Sequence, residues 1–147
     1  MTTRAVIKAR DRWGSTAILY RHNDGYPQGV ISDIKVFIDN YHDKYGDLHG
    51  VEYWLANFMF YAKLTCLVEQ YKWFEKEYKR KKIKDHQLFH ELGYGILSDG
   101  KIPSDVEYIY ELDLLNERIK IIDTYENKVI FDGSLTVSYT HLTLPTN

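Results

Sequence analysis

Residues 51–92 contain neither glycine nor proline, and no other feature restricts the fold as much. Both residues disfavour helix interiors, so a segment this long without them is free to run as helix throughout. Within it Trp54, Leu55, Phe58, Tyr61, Ala62, Thr65 and Val68 recur at the three- and four-residue spacing of a buried helical stripe. Helices of globular proteins average about three turns, so a break beyond Tyr71 or a projecting arm is expected. Lys72 to Lys84 holds seven cations and two Glu. That is the pattern of a solvated helix end, where cations offset the partial negative charge of the last carbonyls, rather than of a specific phosphate patch.

A shorter helix is expected before it. Pro27 suits a first helical turn, where its missing N–H costs nothing. Val30, Ile31, Ile34, Phe37, Ile38 and Tyr41 follow at helical spacing, with Ser32, Asp33, Lys35 and Asp39 facing out and an end near Lys44-Tyr45-Gly46. Strands flank the two helices. Thr3 to Arg10 alternates, with Ala5, Ile7 and Ala9 on one face and Val6, Lys8 and Arg10 on the other. Arg12-Trp13-Gly14-Ser15 turns the chain into a second strand, Thr16 to Tyr20, and so short a link dictates an antiparallel hairpin. Asp24-Gly25 breaks that strand, glycine supplying the positive φ of a turn. Tyr94 to Leu97, Val106 to Leu112, Arg118 to Asp123 and Lys128 to Phe131 read as further strands, with turns at Ser98-Asp99-Gly100 and Leu115-Asn116-Glu117. The expected fold is α+β: one antiparallel β-sheet, made of the N-terminal hairpin and the C-terminal strands, packed against two α-helices of which the second is long.

The chain of 147 residues reads as one domain over 1–136, large enough to bury a core without staples. Val137 to Asn147 differs in kind. It resembles translated sequencing adaptor found at the ends of truncated reading frames, and is set aside as a non-native tail. A net charge of −2 excludes a general nucleic-acid binder, which needs a basic excess. The single cysteine, Cys66, excludes an internal disulfide and a Cys-based zinc site, and its apolar helical setting suggests a buried structural thiol. No apolar leader and no run of 18 apolar residues is present, so a soluble, cytoplasmic protein is expected. His86 and His90, with Asp85 and Glu91 nearby, have i,i+4 spacing that can hold a metal, but no HExxH order accompanies them. No metal and no cofactor is expected.

The chemistry-bearing residues crowd into Tyr20-Arg21-His22-Asn23-Asp24-Gly25-Tyr26-Pro27-Gln28-Gly29. Arg21 and His22 leave the second strand just before a helix N-terminus, whose unpaired N–H groups suit phosphate or carboxylate. A guanidinium grips such an anion at two points. Tyr20 and Tyr26 can stack on a base or bond a ribose, and Arg4, Lys8 and Arg10 can add charge from the neighbouring strand. The candidate ligand-binding set is therefore Arg4, Tyr20, Arg21, His22, Asp24, Tyr26 and Gln28. An equally physical alternative makes Arg21 the partner of Asp24 or Asp33, His22 a turn residue and the tyrosines, 13 in the chain, a seal on the core edge. Catalysis is less well supported. His22 and Asp24 can orient one another, but no nucleophile stands in a recognisable motif, and P-loop and GxGxxG are both missing. Glu107, Glu111 and Asp113 alternate as an exposed polar strand face does.

The opening Thr2-Thr3-Arg4-Ala5-Val6-Ile7 and the run Leu19 to Val30 resemble a family of small phage, prophage and bacterial proteins. Its members open Gly-Thr-Arg and carry a Tyr-Arg-His/Gln-x-Asp-Gly-Tyr-Pro-x-Gly signature, and Glu107 to Asp113 matches their later strand in kind. The likeness covers about the first forty residues and the last thirty before the tail. Thr2 stands where the family has glycine, and Asn23 where an aromatic is commoner. The resemblance implies a viral accessory protein. Such proteins often counter host defence, some by holding a nucleotide signal such as a cyclic ADP-ribose derivative. The expected function is thus immune evasion by sequestering a cyclic ADP-ribose-like or cyclic nucleotide messenger without catalysis, as a homo-oligomer. A protein-binding factor that inhibits a host protein, or a nucleotide-processing enzyme, are the alternatives.

Overall fold

The computed structural model describes residues 3–43, 45–77 and 93–135. Strands β1 (Ala5–Arg10) and β2 (Thr16–Arg21) form the expected hairpin. Helices α1 (Pro27–Asn40) and α2 (Val51–Glu77) follow. Then come β3 (Tyr94–Ile96), β4 (Tyr108–Asp113), β5 (Arg118–Asp123) and β6 (Lys128–Ser134). The α+β expectation holds. All six strands join one sheet in the order β3-β2-β1-β4-β5-β6.

Four of its pairings are antiparallel, and one, β1 with β4, is parallel. A purely antiparallel sheet is therefore not what forms. β3 adds to the outer edge of the hairpin, so the chain must cross the sheet end to enter β4 beside β1. Arg4 anchors that crossing, because its carbonyl accepts the Glu107 N–H at 2.8 Å.

Strand alternation decides which side chains meet the helices. Ala5, Ile7, Ala9, Leu19, Tyr108, Tyr110, Leu112, Ile119 and Ile121 point inward and pack with Val30, Ile34, Phe37, Trp54 and Phe58 from α1 and α2. Phe37 is the centre of this layer: Tyr41, Trp54, Phe58 and Tyr61 hold their ring centroids 4.6, 5.1, 5.6 and 5.8 Å from its own. The outer side of the sheet is charged. Lys8, Glu111, Lys120 and Asp132 stand in register across β1, β4, β5 and β6, and Arg10, Asp113 and Arg118 form a second row. Ion pairs join Arg10 to Asp113 at 3.1 Å and Arg118 to Asp132 at 3.0 Å. Glu111 and Asp113 thus behave as the exposed polar face that their alternation implied.

Several boundaries differ from expectation. α1 stops at Asn40, capped by Tyr41, because Asp43 pulls the following chain into a loop by accepting the N–H groups of Leu48 and His49 at 3.1 and 3.2 Å. β6 continues to Ser134, paired along its length with β5 across a bulge. The described part of α2 runs unbroken to Glu77, and the cationic segment beyond it, with His86 and His90, lies outside the described residues, as does the tail. At Asp24-Gly25 the positive φ belongs to Asp24, at 54°, not to the glycine. Gly25 is needed for another reason: a Cβ there would come within 2.7 Å of the Ala5 Cβ. That close approach lets Tyr110 donate its hydroxyl to the Gly25 carbonyl at 2.5 Å.

Candidate functional site

Arg21 is the last residue of β2, and alternation with Ala17 and Leu19 turns it inward. It is only 3% exposed. Its Nε donates to the Asn23 carbonyl at 2.8 Å. Nη1 donates to the Asp33 carboxylate at 2.9 Å and to the Tyr94 hydroxyl at 3.0 Å. The guanidinium also lies 5.0 Å from the Tyr94 ring centroid, within cation–π range. Of the two partners considered for Arg21, then, Asp33 takes it and Asp24 does not, so Asp33 does not simply face solvent. Burial opposes the Arg21 charge, but Tyr94 and Asp33 outweigh it and raise the pKa, so the cation persists. Burial pushes the Tyr94 phenol well up, which keeps it neutral.

Nη2 is left without a hydrogen bond among the described residues. It belongs to the wall of a cavity of about 330 Å³ between α1 and α2, lined by Arg21, Ser32, Asp33, Tyr61, Thr65 and Cys66 among others. Gly29 borders this corner: a Cβ there would make ordinary contacts, 3.4 Å from the Asp24 carbonyl, 3.8 Å from the Tyr26 ring and 4.0 Å from Nη2. The Thr65 hydroxyl donates back to the Tyr61 and Ala62 carbonyls at 3.0 and 3.1 Å, which leaves its oxygen able to accept. Cys66 is half-buried on this wall rather than sealed in the core.

The other expected ligand residues do not converge on this point. Tyr20 and His22 fall on the opposite phase of the strand from Arg21, and the Tyr20 hydroxyl meets His22 Nδ1 at 3.0 Å. Lys8 and Arg10 likewise face the outer side of the sheet, while Arg4 forms an ion pair with Asp105. Asp24 and Tyr26 are exposed at the start of α1, where the Tyr26 hydroxyl lies 3.5 Å from the Asp24 carboxylate, and Gln28 is half-buried beside them. Period-two alternation thus splits the central stretch between the two faces of the sheet. What sequence reasoning missed is the α2 wall, Tyr61, Thr65 and Cys66, together with Ser32 and Tyr94. The signal was the run of smaller polar side chains at Thr65 and Cys66 within an otherwise large apolar stripe.

A second depression, about 310 Å³, lies over the charged rows of the outer sheet face. Its Lys, Arg, Glu and Asp side chains alternate and neutralise one another, so it offers no concentrated charge to a ligand. Among the described residues no group of three or more His, Cys, Asp or Glu is placed to hold a metal, and no helix is long and apolar enough to cross a membrane. Comparison with protein-family models, with curated proteins and with solved structures found no match.

Proposed function

We propose that this chain is a non-catalytic binding protein of the phage accessory kind, which holds a small nucleotide-type immune signal in the cleft between α1 and α2. The observation that carries the reading is the Arg21 guanidinium: a cation in a residue 3% exposed, set in the wall of a cavity, with no hydrogen bond from Nη2 among the described residues. An entering phosphate oxygen would accept a charge-assisted hydrogen bond from Nη2 in place of solvent. The hydroxyls of Ser32 and Thr65 and the Tyr61 ring supply polar contacts and a stacking surface. Asp33 already offsets the single charge of Arg21, so the cleft carries no net positive charge and suits at most one phosphodiester, not a polyphosphate. Its volume, near the lower end of ligand pockets, favours a cyclic mononucleotide over the larger cyclic ADP-ribose.

The test is thermal shift and calorimetric titration with cyclic mononucleotides and cyclic ADP-ribose, followed by denaturation and recovery of the ligand. One of them should raise the melting temperature and return unchanged. Ser32→Trp, at an exposed helix position on the cleft, should abolish binding while leaving the ligand-free melting temperature in place. A ligand returned altered would make the protein an enzyme. No shift with any nucleotide would overturn the reading in favour of a protein-binding factor.

A further inference from the structure

Helix α2 is apolar on two opposite faces. Val51, Trp54, Leu55, Phe58 and Ala62 are buried against the sheet and α1. On the far side Tyr53 is 59% exposed, Phe60 64% and Leu64 42%. Tyr53, Asn57, Phe60 and Leu64 are spaced four, three and four residues apart, the alternation of a coiled-coil seam. Ala56 lies beside them, so a solvent-facing stripe of three turns presents almost no charge. A one-face helix would put its charges here. The charged residues beside these turns, Glu52 and Lys63, stand on one flank of the stripe, eleven positions apart and so nearly in line along the helix.

We propose that this face is the interface of a symmetric dimer, in which α2 packs antiparallel against α2 of a second copy. The pattern is self-complementary under one particular operation. A two-fold axis near residue 58 sets Tyr53 of each copy against Leu64 of the other, and each Phe60 ring over the smaller Ala56 and Asn57. Large side chains then face small ones. A two-fold axis perpendicular to antiparallel helices also keeps like flanks together, so Glu52 of each copy comes beside Lys63 of the other, an opposite-charge pair made twice. A parallel arrangement would set unlike flanks together, so Glu52 and Lys63, which share one flank, would not meet across it. The three exposed side chains present on the order of 300 Å² of apolar surface per copy, comparable to the largest apolar patch of a typical monomer, which is often functional. With its flanks the stripe reaches only the low end of interface sizes, that of weak complexes. The stripe lies on the side of α2 away from the cleft, and the inference does not rest on the proposed ligand.

Sedimentation of the full chain decides it. The wild type should be a dimer at tens of micromolar, and Phe60→Glu, at an exposed position, should be a monomer with an unchanged circular dichroism spectrum, melting like wild type diluted to the monomer. Glu52→Lys and Lys63→Glu should each weaken the dimer by roughly tenfold, since each converts two attractive rim contacts into repulsions. The double swap should restore it. A monomeric wild type, whether bare or covered by another protein, would overturn the proposal, as would a dimer indifferent to Phe60→Glu. Weak single variants with no recovery in the double would exclude the antiparallel register.

Discussion

Replacing Arg21 by Met keeps most of the stem volume and removes the charge together with the hydrogen bonds to Asn23, Asp33 and Tyr94. Two groups then lose the Arg21 donor. The Tyr94 hydroxyl, in a side chain 6% exposed, loses the Arg21 donor it accepts from, at about 1–3 kcal/mol. The Asp33 carboxylate loses its cation, and breaking a buried pair costs about 3–5 kcal/mol. Asp33 is 27% exposed and partly rehydrates, so its share falls below that range to about 2 kcal/mol, and with about 1 kcal/mol for Tyr94 the total is about 3 kcal/mol. For a domain of this size each kcal/mol moves Tm by about 3–5 °C, which predicts a fall of roughly 10–15 °C. The second half of the experiment is Arg21→Met with Asp33→Leu. Removing both members of a pair leaves no orphan, so the double variant should recover at least half of the loss. Thermal and urea melts of the wild type, both single variants and the double close the cycle. A single variant within about 3 °C of wild type, or a double that loses the sum of the singles, would refute the view that Arg21 holds β2, β3 and α1 together.

The same logic gives two further expectations. Asp11 is 4% exposed and accepts the N–H groups of Trp13 and Ser15 at 2.9 and 3.0 Å with one oxygen and that of Val51 at 3.0 Å with the other. It therefore ties the β1–β2 turn to the first turn of α2, and Asp11→Ala should cost about 2–4 kcal/mol in urea melts by stripping three backbone donors. On the outer sheet face burial opposes the Asp113 carboxylate, but hydrogen bonds from Asn116 and Arg10 outweigh it and lower its pKa. A depressed folded pKa adds stability that is present above the unfolded value of about 3.9 and is lost as pH falls through the folded one. The melting temperature of Asp113→Asn should accordingly approach that of wild type as pH drops below about 4, and a gap that stays constant from pH 7 to pH 3 would refute the assignment.

Much of the fold was legible because it rests on local periodicity. The β1–β2 hairpin, the inward sets of β1 and β4, the α1 stripe and the apolar stripe along α2 follow from two-residue and 3.6-residue patterns that each segment carries by itself. The α2 pattern carried an ambiguity, since a helix that is apolar all round does not say which of its faces meets the core. The sheet decided that, by taking Trp54 and Phe58 and leaving Tyr53 and Phe60 outside.

The candidate site shows where local reading stops. The Tyr20 to Gly29 stretch concentrates functional groups in sequence, yet a strand sends neighbours to opposite faces, so Arg21 enters the interior while Tyr20 and His22 stay outside. By itself the sequence determined the elements, their apolar faces and the junction at which Arg21 leaves β2 for α1. Only the tertiary structure decided that β4 lies parallel to β1, that Asp33 and Tyr94 hold the guanidinium, and that Thr65 and Cys66 close a cleft above it. The reason is physical: Tyr94 stands 73 positions from Arg21. A contact over that distance is set by which strands pair and how helices stack, and neither is written in the spacing of residues along one segment.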